Sequence, residues 1–168
     1  MTSPTTGEPR AGNEADRFAA WVRPHLPAMG RFAARLVPAA DRDDVVQDAL
    51  VRAWRRRATY DATRGTAVAW LLAIVADQAR RRRTRAPAAN LTLVESDDAS
   101  AFTPVDLDLE RAIADLSPRQ RQAVDLYYFV GLDVAATAQV MGCAPGTVKA
   151  TLSQARDRLR TLLGDDDG

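Results

Sequence analysis

Residues 116–163 divide into three helix-length segments punctuated by glycine turns, a spacing that leaves few folds open. Ser117-Pro118-Arg119-Gln120 is a capping box. The serine hydroxyl can accept from an early backbone N–H, Gln120 can reach back to the cap, and Pro118 sits where a missing N–H does no harm. A helix is predicted from there through Tyr127 and Tyr128 to Gly131. Asp133 can cap a shorter helix, Val134 to Met141, which Gly142 stops. A third begins near Pro145-Gly146-Thr147. Two helices joined through a short glycine-containing turn are the layout of a helix-turn-helix, whose second helix lies in the DNA major groove.

The faces of the third helix agree with that layout. Val148, Leu152, Ala155, Leu159 and Leu162 recur at alternating spacings of four and three, one apolar stripe that must pack inward. The opposite face carries Lys149, Ala150, Ser153, Gln154 and Asp157. Thr147 and the free N–H groups of the first turn could hold a phosphate at the positive end of the helix dipole. Lys149 can donate to guanine and Gln154 can pair bidentately with adenine. Arg156, Arg158 and Arg160 lie towards the flanks, where phosphates would be met. A plain three-helix bundle with a polar outer face is the competing reading; the glycine turn and the small residues Ala135, Ala136 and Ala138 favour close helix crossing instead.

The net charge of +1 hides a strong segregation. Residues 41–85 hold eleven arginines against six aspartates, whereas residues 86–110 hold six acids and no Lys or Arg. Residues 111–164 are again basic, and Asp165 to Asp167 close the chain with acid. Two basic segments separated by an acidic one suggest two small helical domains and a linker. Ala86-Pro87, Ser96-Asp97-Asp98-Ala99-Ser100 and Thr103-Pro104 offer no helical or strand period, and a structureless run of that length inside one compact domain would be unusual. The expected division is a disordered polar lead at 1–13, a first domain at 14–85, a flexible acidic linker at 86–110, a second domain at 111–164 and an acidic tail at 165–168. The expected fold class is all-α.

The first domain reads as helices throughout. Phe18, Trp21, Val22, Met29, Phe32, Ala33 and Leu36 fall at helical spacing over Asp16 to Leu36, with Pro24 and Pro27 marking a break. Asp41 can cap the next helix, with Asp43 and Asp44 in its first turn favoured by the dipole. Thr59 to Gly65 is a polar loop, and Thr66 can cap a last helix that ends in Arg80-Arg81-Arg82-Arg83-Thr84-Arg85. Arginines crowded on one helix end repel each other unless phosphates or acids lie close. With Trp70 and the loop nearby, they form a surface suited to duplex phosphates or splayed single-stranded bases.

Chemistry of its own is not expected. The chain has one histidine, His25, and one cysteine, Cys143, which is expected as a small buried residue in the turn. It shows no Cys/His cluster, phosphate-cradling glycine loop or nucleophile motif, so neither metal nor cofactor nor enzymatic activity is expected. No apolar run approaches membrane-span length, and residues 1–13 lack the apolar core of a signal peptide. The single cysteine fits a reducing cytoplasm.

The residues resemble a known family, the extracytoplasmic-function (ECF) sigma factors of bacterial RNA polymerase. The segment from Asp41 to Trp54, with Asp44, Gln47, Asp48, Arg52, Ala53 and Trp54, is similar to the family's core-polymerase-binding helix. Ala69-Trp70-Leu71-Leu72-Ala73-Ile74 resembles the start of its minus-ten-binding helix. Leu116 to Arg121, Gly146-Thr147-Val148-Lys149 and Ala155 to Leu159 resemble its C-terminal domain. The likeness runs from about Ala15 to Leu163.

The resemblance implies partners and roles. Asp44, Gln47, Asp48, Arg52 and Trp54 would lie at the polymerase β′ clamp helices, with Trp54 partly structural. The loop containing Thr59, Tyr60 and Arg64 would hold a flipped non-template base, with Trp70, Asp77, Arg80, Arg81 and Arg83 at the minus-ten strand. Thr147, Lys149, Ala150, Ser153, Gln154, Arg156 and Arg158 would meet the minus-thirty-five element, with the β flap beside the second domain. The acidic linker would thread towards the polymerase cleft. An anti-sigma factor is an expected partner, and the cytoplasmic nucleoid the expected place. The sequence departs from the pattern at Asp77, Arg81, Ala150-Thr151 and Gln154. Gln154 stands where the family often has Arg, which implies an adenine preference worth about 1–3 kcal/mol per bidentate pair. The alternative is another helix-turn-helix regulator, binding DNA without being a polymerase subunit. A response regulator would need an α/β receiver, and the first half shows no alternating strands.

Overall fold

The computed structural model describes residues 11–85 and 104–164. Within them the chain is helical throughout: α1 (Ala11–Val22), a 3₁₀ turn (Arg23–His25), α2 (Leu26–Leu36), α3 (Ala39–Arg56), a second 3₁₀ turn (Arg57–Thr59), α4 (Ala67–Arg85), α5 (Pro104–Ala114), α6 (Pro118–Val124), a π-helical turn (Asp125–Val130), α7 (Val134–Met141) and α8 (Pro145–Gly164). The caps of the C-terminal helices behave as their side chains predict. Ser117 and Gln120 form both bonds of the capping box, and Asp133 accepts from the Ala136 N–H at 2.7 Å. Gly131 and Gly142 end their helices in the left-handed conformation, at φ 86° and 63°.

Several boundaries differ from expectation. The expected polar lead at 1–13 gives way to helix at Ala11; its first ten residues lie outside the described part. The acidic linker expected over 86–110 ends sooner, because Pro104 opens α5; residues 86–103 and the tail 165–168 also lie outside the described part. Packing explains α5. Ile113 and Leu116 bury in one cluster and Leu109 packs against it, so the short acidic segment gains an apolar stripe. Arg121 then donates to the carbonyls of Ile113, Ala114 and Leu116 and satisfies the helix's C-terminal end. Asp41 does not cap α3, which starts at Ala39 with Pro38 before it. Its carboxylate instead accepts from Arg82 Nε at 2.9 Å. Cys143 is half-buried rather than buried.

The main core is built on α4, whose Ala69, Leu71, Leu72, Ile74, Val75 and Ala79 are buried between neighbours. Met29, Phe32 and Ala33 of α2 and Val45, Ala49 and Ala53 of α3 close around it. At one end, Phe18, Trp21, Trp54, Tyr60 and Trp70 make a chain of tilted and edge-on rings with centroids 5.2–6.1 Å apart. Such rings hold α1 and the loop after α3 against α4. A second core, Ile113, Leu116, Ala123, Val124, Ala138, Val148, Leu152 and Ala155, belongs to the C-terminal helices.

The sequence suggests two small domains joined by a linker; in the structure their helices also pack together. Leu126, Val130, Leu132, Ala136 and Val140 of the C-terminal half are buried in the same core as Met29, Phe32 and Leu72. Arg35 of α2 crosses the boundary. Its Nε donates to Asp125 at 2.7 Å, its Nη1 to both Glu110 oxygens at 2.9 and 3.1 Å, and its guanidinium lies 4.0 Å from the centre of the Phe129 ring. Burial works against the Arg35 charge, but Asp125 and Glu110 outweigh it. Burial pushes the Asp125 carboxyl above the usual carboxylate range, with Arg35 pulling the other way. The reason the periodicity misses this contact is that an apolar stripe says a face is buried, not against which partner.

Candidate nucleic-acid interface

Three surfaces gather the residues singled out by sequence. On α3, Asp44, Gln47 and Asp48 are exposed and lie along one strip that also carries Val51, 49 % exposed. These positions recur at three and four residues and so share a face. Asp44 is not bare, since its Oδ2 accepts from Arg82 Nη2 at 2.9 Å. Arg52 is half-buried, with its Nε 3.8 Å from Asp77 Oδ2. Trp54 turns to α1, edge-on to Phe18 and with Arg57 stacked 3.8 Å from its ring. That position makes it a packing residue first.

The second surface combines the loop before α4 with the arginine-rich end of that helix. Thr59 is exposed and its hydroxyl donates to the Arg56 carbonyl, while Tyr60 Oη donates to the Gly65 carbonyl at 3.3 Å. Asp61 accepts from the Thr63 N–H and hydroxyl at 2.9 and 2.6 Å, and these bonds hold its carboxyl below the usual range. The loop is therefore internally tied rather than slack. Trp70 lies half-buried between Tyr60 and Trp21, so it supports the loop from beneath. Arg64 is exposed.

Acids supply much of the relief that the crowded arginines need. Asp77 accepts from Arg80 at 2.7 Å and Arg81 at 2.8 Å. Its partial burial pushes the carboxyl up, but those two bonds and their charges bring it below the ordinary value. Arg82 is taken up by Asp41 and Asp44. Among the described residues no carboxylate pairs with Arg83, which is exposed.

The third surface is the start of α8. Val148, Thr151, Leu152 and Ala155 are buried, and Lys149, Ala150, Ser153 and Gln154 stand exposed on the other side with no side-chain partner among the described residues. Thr147 is exposed in the first turn and its carbonyl accepts from Thr151 Oγ1. Arg156 donates to Tyr128 Oη at 3.3 Å, and Arg158 is exposed. Donors and acceptors left unsatisfied on one helix face are what major-groove reading requires.

These two helical units match known family models. Residues 21–87 match the model "Sigma-70 region 2" and residues 106–159 match "Sigma-70, region 4". The ECF RNA polymerase sigma factor SigL of Mycobacterium tuberculosis is 32% identical over 91% of this chain and 92% of its own length. SigC of the same species is 34% identical over 88% of this chain and 84% of its own. This chain belongs to the ECF sigma factors. As such it directs promoter-specific transcription by RNA polymerase. Two solved structures are similar to this sigma factor, each with a TM-score of 0.68. One is CnrH in complex with the cytosolic domain of CnrY, 27% identical over 92% of this chain and 91% of that one. The other is RpoE with the anti-sigma factor NepR from Bartonella quintana, 29% identical over 88% and 97%.

Sequence reasoning overlooked three residues of this sigma factor's C-terminal and α2 surfaces. Gln139 reaches the loop before α4, Arg31 Nη2 lies 3.5 Å from the Val130 carbonyl, and Arg35 meets Asp125. A signal for the last was present: Asp125 interrupts the buried run Ala123, Val124, Leu126, and a carboxylate there needs a cation. No helix of the described residues is long and apolar enough to cross a membrane, and they contain no group of His, Cys, Asp and Glu suited to a metal.

Proposed function

We propose that the exposed α3 strip at Asp44, Gln47 and Asp48, backed by Arg52 and Trp54, docks on the β′ clamp helices of core polymerase. The loop carrying Thr59, Tyr60 and Arg64, with Trp70 beneath it, then receives an unstacked minus-ten base, and Arg80, Arg81 and Arg83 grip the strand beside Asp77. The α8 face at Thr147, Lys149, Ala150, Ser153 and Gln154 reads the minus-thirty-five element, flanked by Arg156 and Arg158 on phosphates. In this reading residues 11–85 and 104–164 are the two working units, the β flap lies against the second, and melting follows from strand capture by the first. The sigma factor contributes binding and positioning, uses no cofactor, and leaves catalysis to the polymerase. It works where polymerase and nucleoid are, in the cytoplasm, and an anti-sigma protein holds it, as its solved relatives are held by theirs.

The exposed face of α8 carries this reading, because Lys149, Ser153 and Gln154 lie opposite the buried Val148, Leu152 and Ala155, where side chains can meet base edges. The test is reconstitution: purified core polymerase plus this chain should start RNA at discrete promoters, and core alone should not. Asp48→Ala, on an exposed position, should weaken core binding by about thirtyfold, the loss expected for one interface hot spot. A folded Asp48→Ala chain with full affinity for core would sink the assignment of the α3 strip. DNA binding without initiation would favour the alternative, a regulator that is not a polymerase subunit.

A further inference from the structure

A concavity opens between α1 and the loop before α4. Glu14, Arg17, Phe18 and Trp21 of α1 line it together with Arg57 and Tyr60, around a volume of about 240 Å³. The arginine-rich end of α4 lies elsewhere. Arg82 there meets Asp41 at the start of α3, whereas the concavity sits where α3 ends, beside Trp54. Trp70 and Arg82 are about 18 Å apart along the α4 axis. Tyr60 belongs both to this wall and to the loop proposed to receive an unstacked base, so the two spaces adjoin. Of the six lining residues, only Tyr60 has a part in the proposed function.

Its chemistry is aromatic walls with a charged rim. Phe18, Trp21 and Tyr60 are half-buried, anchored against one another yet partly open. Stacking on such rings strengthens the binding of an unpaired base by about five- to hundredfold, whatever the base. The rim is pre-arranged. Arg57 lies 3.8 Å from the centre of the Trp54 ring and donates to the Trp54 carbonyl at 2.7 Å. Its Nε and Nη2 hold Glu14 Oε1 at 2.8 and 2.6 Å, which leaves Glu14 Oε2 without a donor among the described residues. Arg17 is exposed and has no acceptor among them. A fixed carboxylate oxygen and a free guanidinium beside aromatic rings suit a base with paired acceptors and an amino group. Guanine has both: N7 and O6 for Arg17, and its N2 amino group for Glu14. Adenine places a donor beside N7, and thymine has no amino group.

We propose that this α1 concavity is a second base subsite, which takes a guanine of the melted non-template strand next to the base held by the loop before α4. This rests on the proposed role of that loop. Phe18, Trp21 and Tyr60 supply the stacking, which is indifferent to sequence, and Arg17 and Glu14 supply the choice of base. The two bases share Tyr60 as a partition, so they must be neighbours on one strand. Promoter choice by the first lobe is then set by two adjoining pockets, while the α4 arginines hold phosphates without reading them.

The experiment uses core polymerase loaded with the full chain, and forked duplexes whose single-stranded minus-ten segment is randomised on the non-template strand. Selection should fix one base through the loop and enrich guanine about tenfold at a neighbouring position. Arg17→Ala should abolish that guanine enrichment and leave the loop-bound position as it was. Glu14→Gln should lower it part of the way. Both residues are exposed, and circular dichroism should find both variants as helical as the parent. On a selected strand, replacing the guanine by adenine should weaken parent binding about tenfold and leave Arg17→Ala binding unchanged, a direct measure of the pairing. Absence of a second selected position overturns the proposal, as does a guanine preference that survives in Arg17→Ala. Weaker binding of Arg17→Ala to core with base preferences unmoved also overturns it, and gives the concavity to a polymerase side chain. If Arg64→Ala and Thr59→Ala move no position while Arg17→Ala still removes the guanine, the subsite stands and the loop's proposed role fails.

Discussion

Arginines crowd the end of α4 and polar side chains line the start of α8, yet the fold treats these two surfaces in opposite ways. At α4, Asp77 holds Arg80 and Arg81, and Asp41 and Asp44 hold Arg82, before any nucleic acid arrives. At α8, Lys149, Ser153 and Gln154 make no side-chain bond among the described residues. The difference follows from what each contact must do. Phosphate grip is a charge effect that tolerates competition, so acids can order the arginines and temper their repulsion without abolishing attraction. Base reading depends on whole hydrogen bonds to specific edges, and an internal partner would compete with them directly. The first surface is pre-arranged; the second is kept bare.

The largest expected effect tests whether the two surfaces belong to one folding unit. Leu126→Ala removes a fully buried side chain from the core shared by both lobes and should cost about 2–5 kcal/mol in denaturant unfolding. A loss confined to a separate C-terminal transition, with α1–α4 unfolding unchanged, would break the picture of a shared core.

Next comes specificity on the bare surface. Gln154→Arg should move the preferred base from adenine towards guanine by about 1–3 kcal/mol at one position of the minus-thirty-five element. Selection from randomised duplexes reads this out, and identical preferences for both proteins would remove Gln154 from the reading face.

A smaller change concerns how the reader is anchored. Ser117→Ala deletes one half of the capping box and should lower stability by about 1 kcal/mol, seen as a reduced melting temperature with DNA preference unaltered. Altered preference would mean that α6 steers α8 more than the packing suggests.

The smallest effect is a titration at the pre-arranged surface. Asp77 has its folded pKa below the ordinary value, so its contribution is fully present above about pH 4 and fades as pH falls through the depressed pKa. Carboxyl NMR should find its midpoint below that of a free aspartate, and the α4 end should keep its helicity unchanged between pH 7 and pH 5. A midpoint at or above the free value would show that the arginines are not held as described.

Much of the local structure was legible in advance for concrete reasons. Ser117 and Gln120, Asp133, Gly131 and Gly142 each act within a few residues, where the chain's own geometry decides the outcome. The α8 faces were legible because Val148, Leu152 and Ala155 leave only one side for Lys149, Ser153 and Gln154. Other features depended on distant neighbours. Asp41 looked like a cap and became a partner for Arg82, and the support that Trp70 gives Tyr60 depended on the fold of the loop between them. Residues 104–110 looked like linker because acids dominate them, and their helix became visible only against Leu116 and Leu159.

The amino-acid order by itself determined most of the helices, the ends capped by Ser117, Asp133, Gly131 and Gly142, the inward stripes and the segregation of charge, all set by interactions within a few turns. Only the tertiary structure decided which stripe met which, that Arg35 would find Asp125 ninety positions away, and that Gln139 would close on Gly65. Burial is non-directional, so a chain can announce which faces leave water without naming the surface that will cover them.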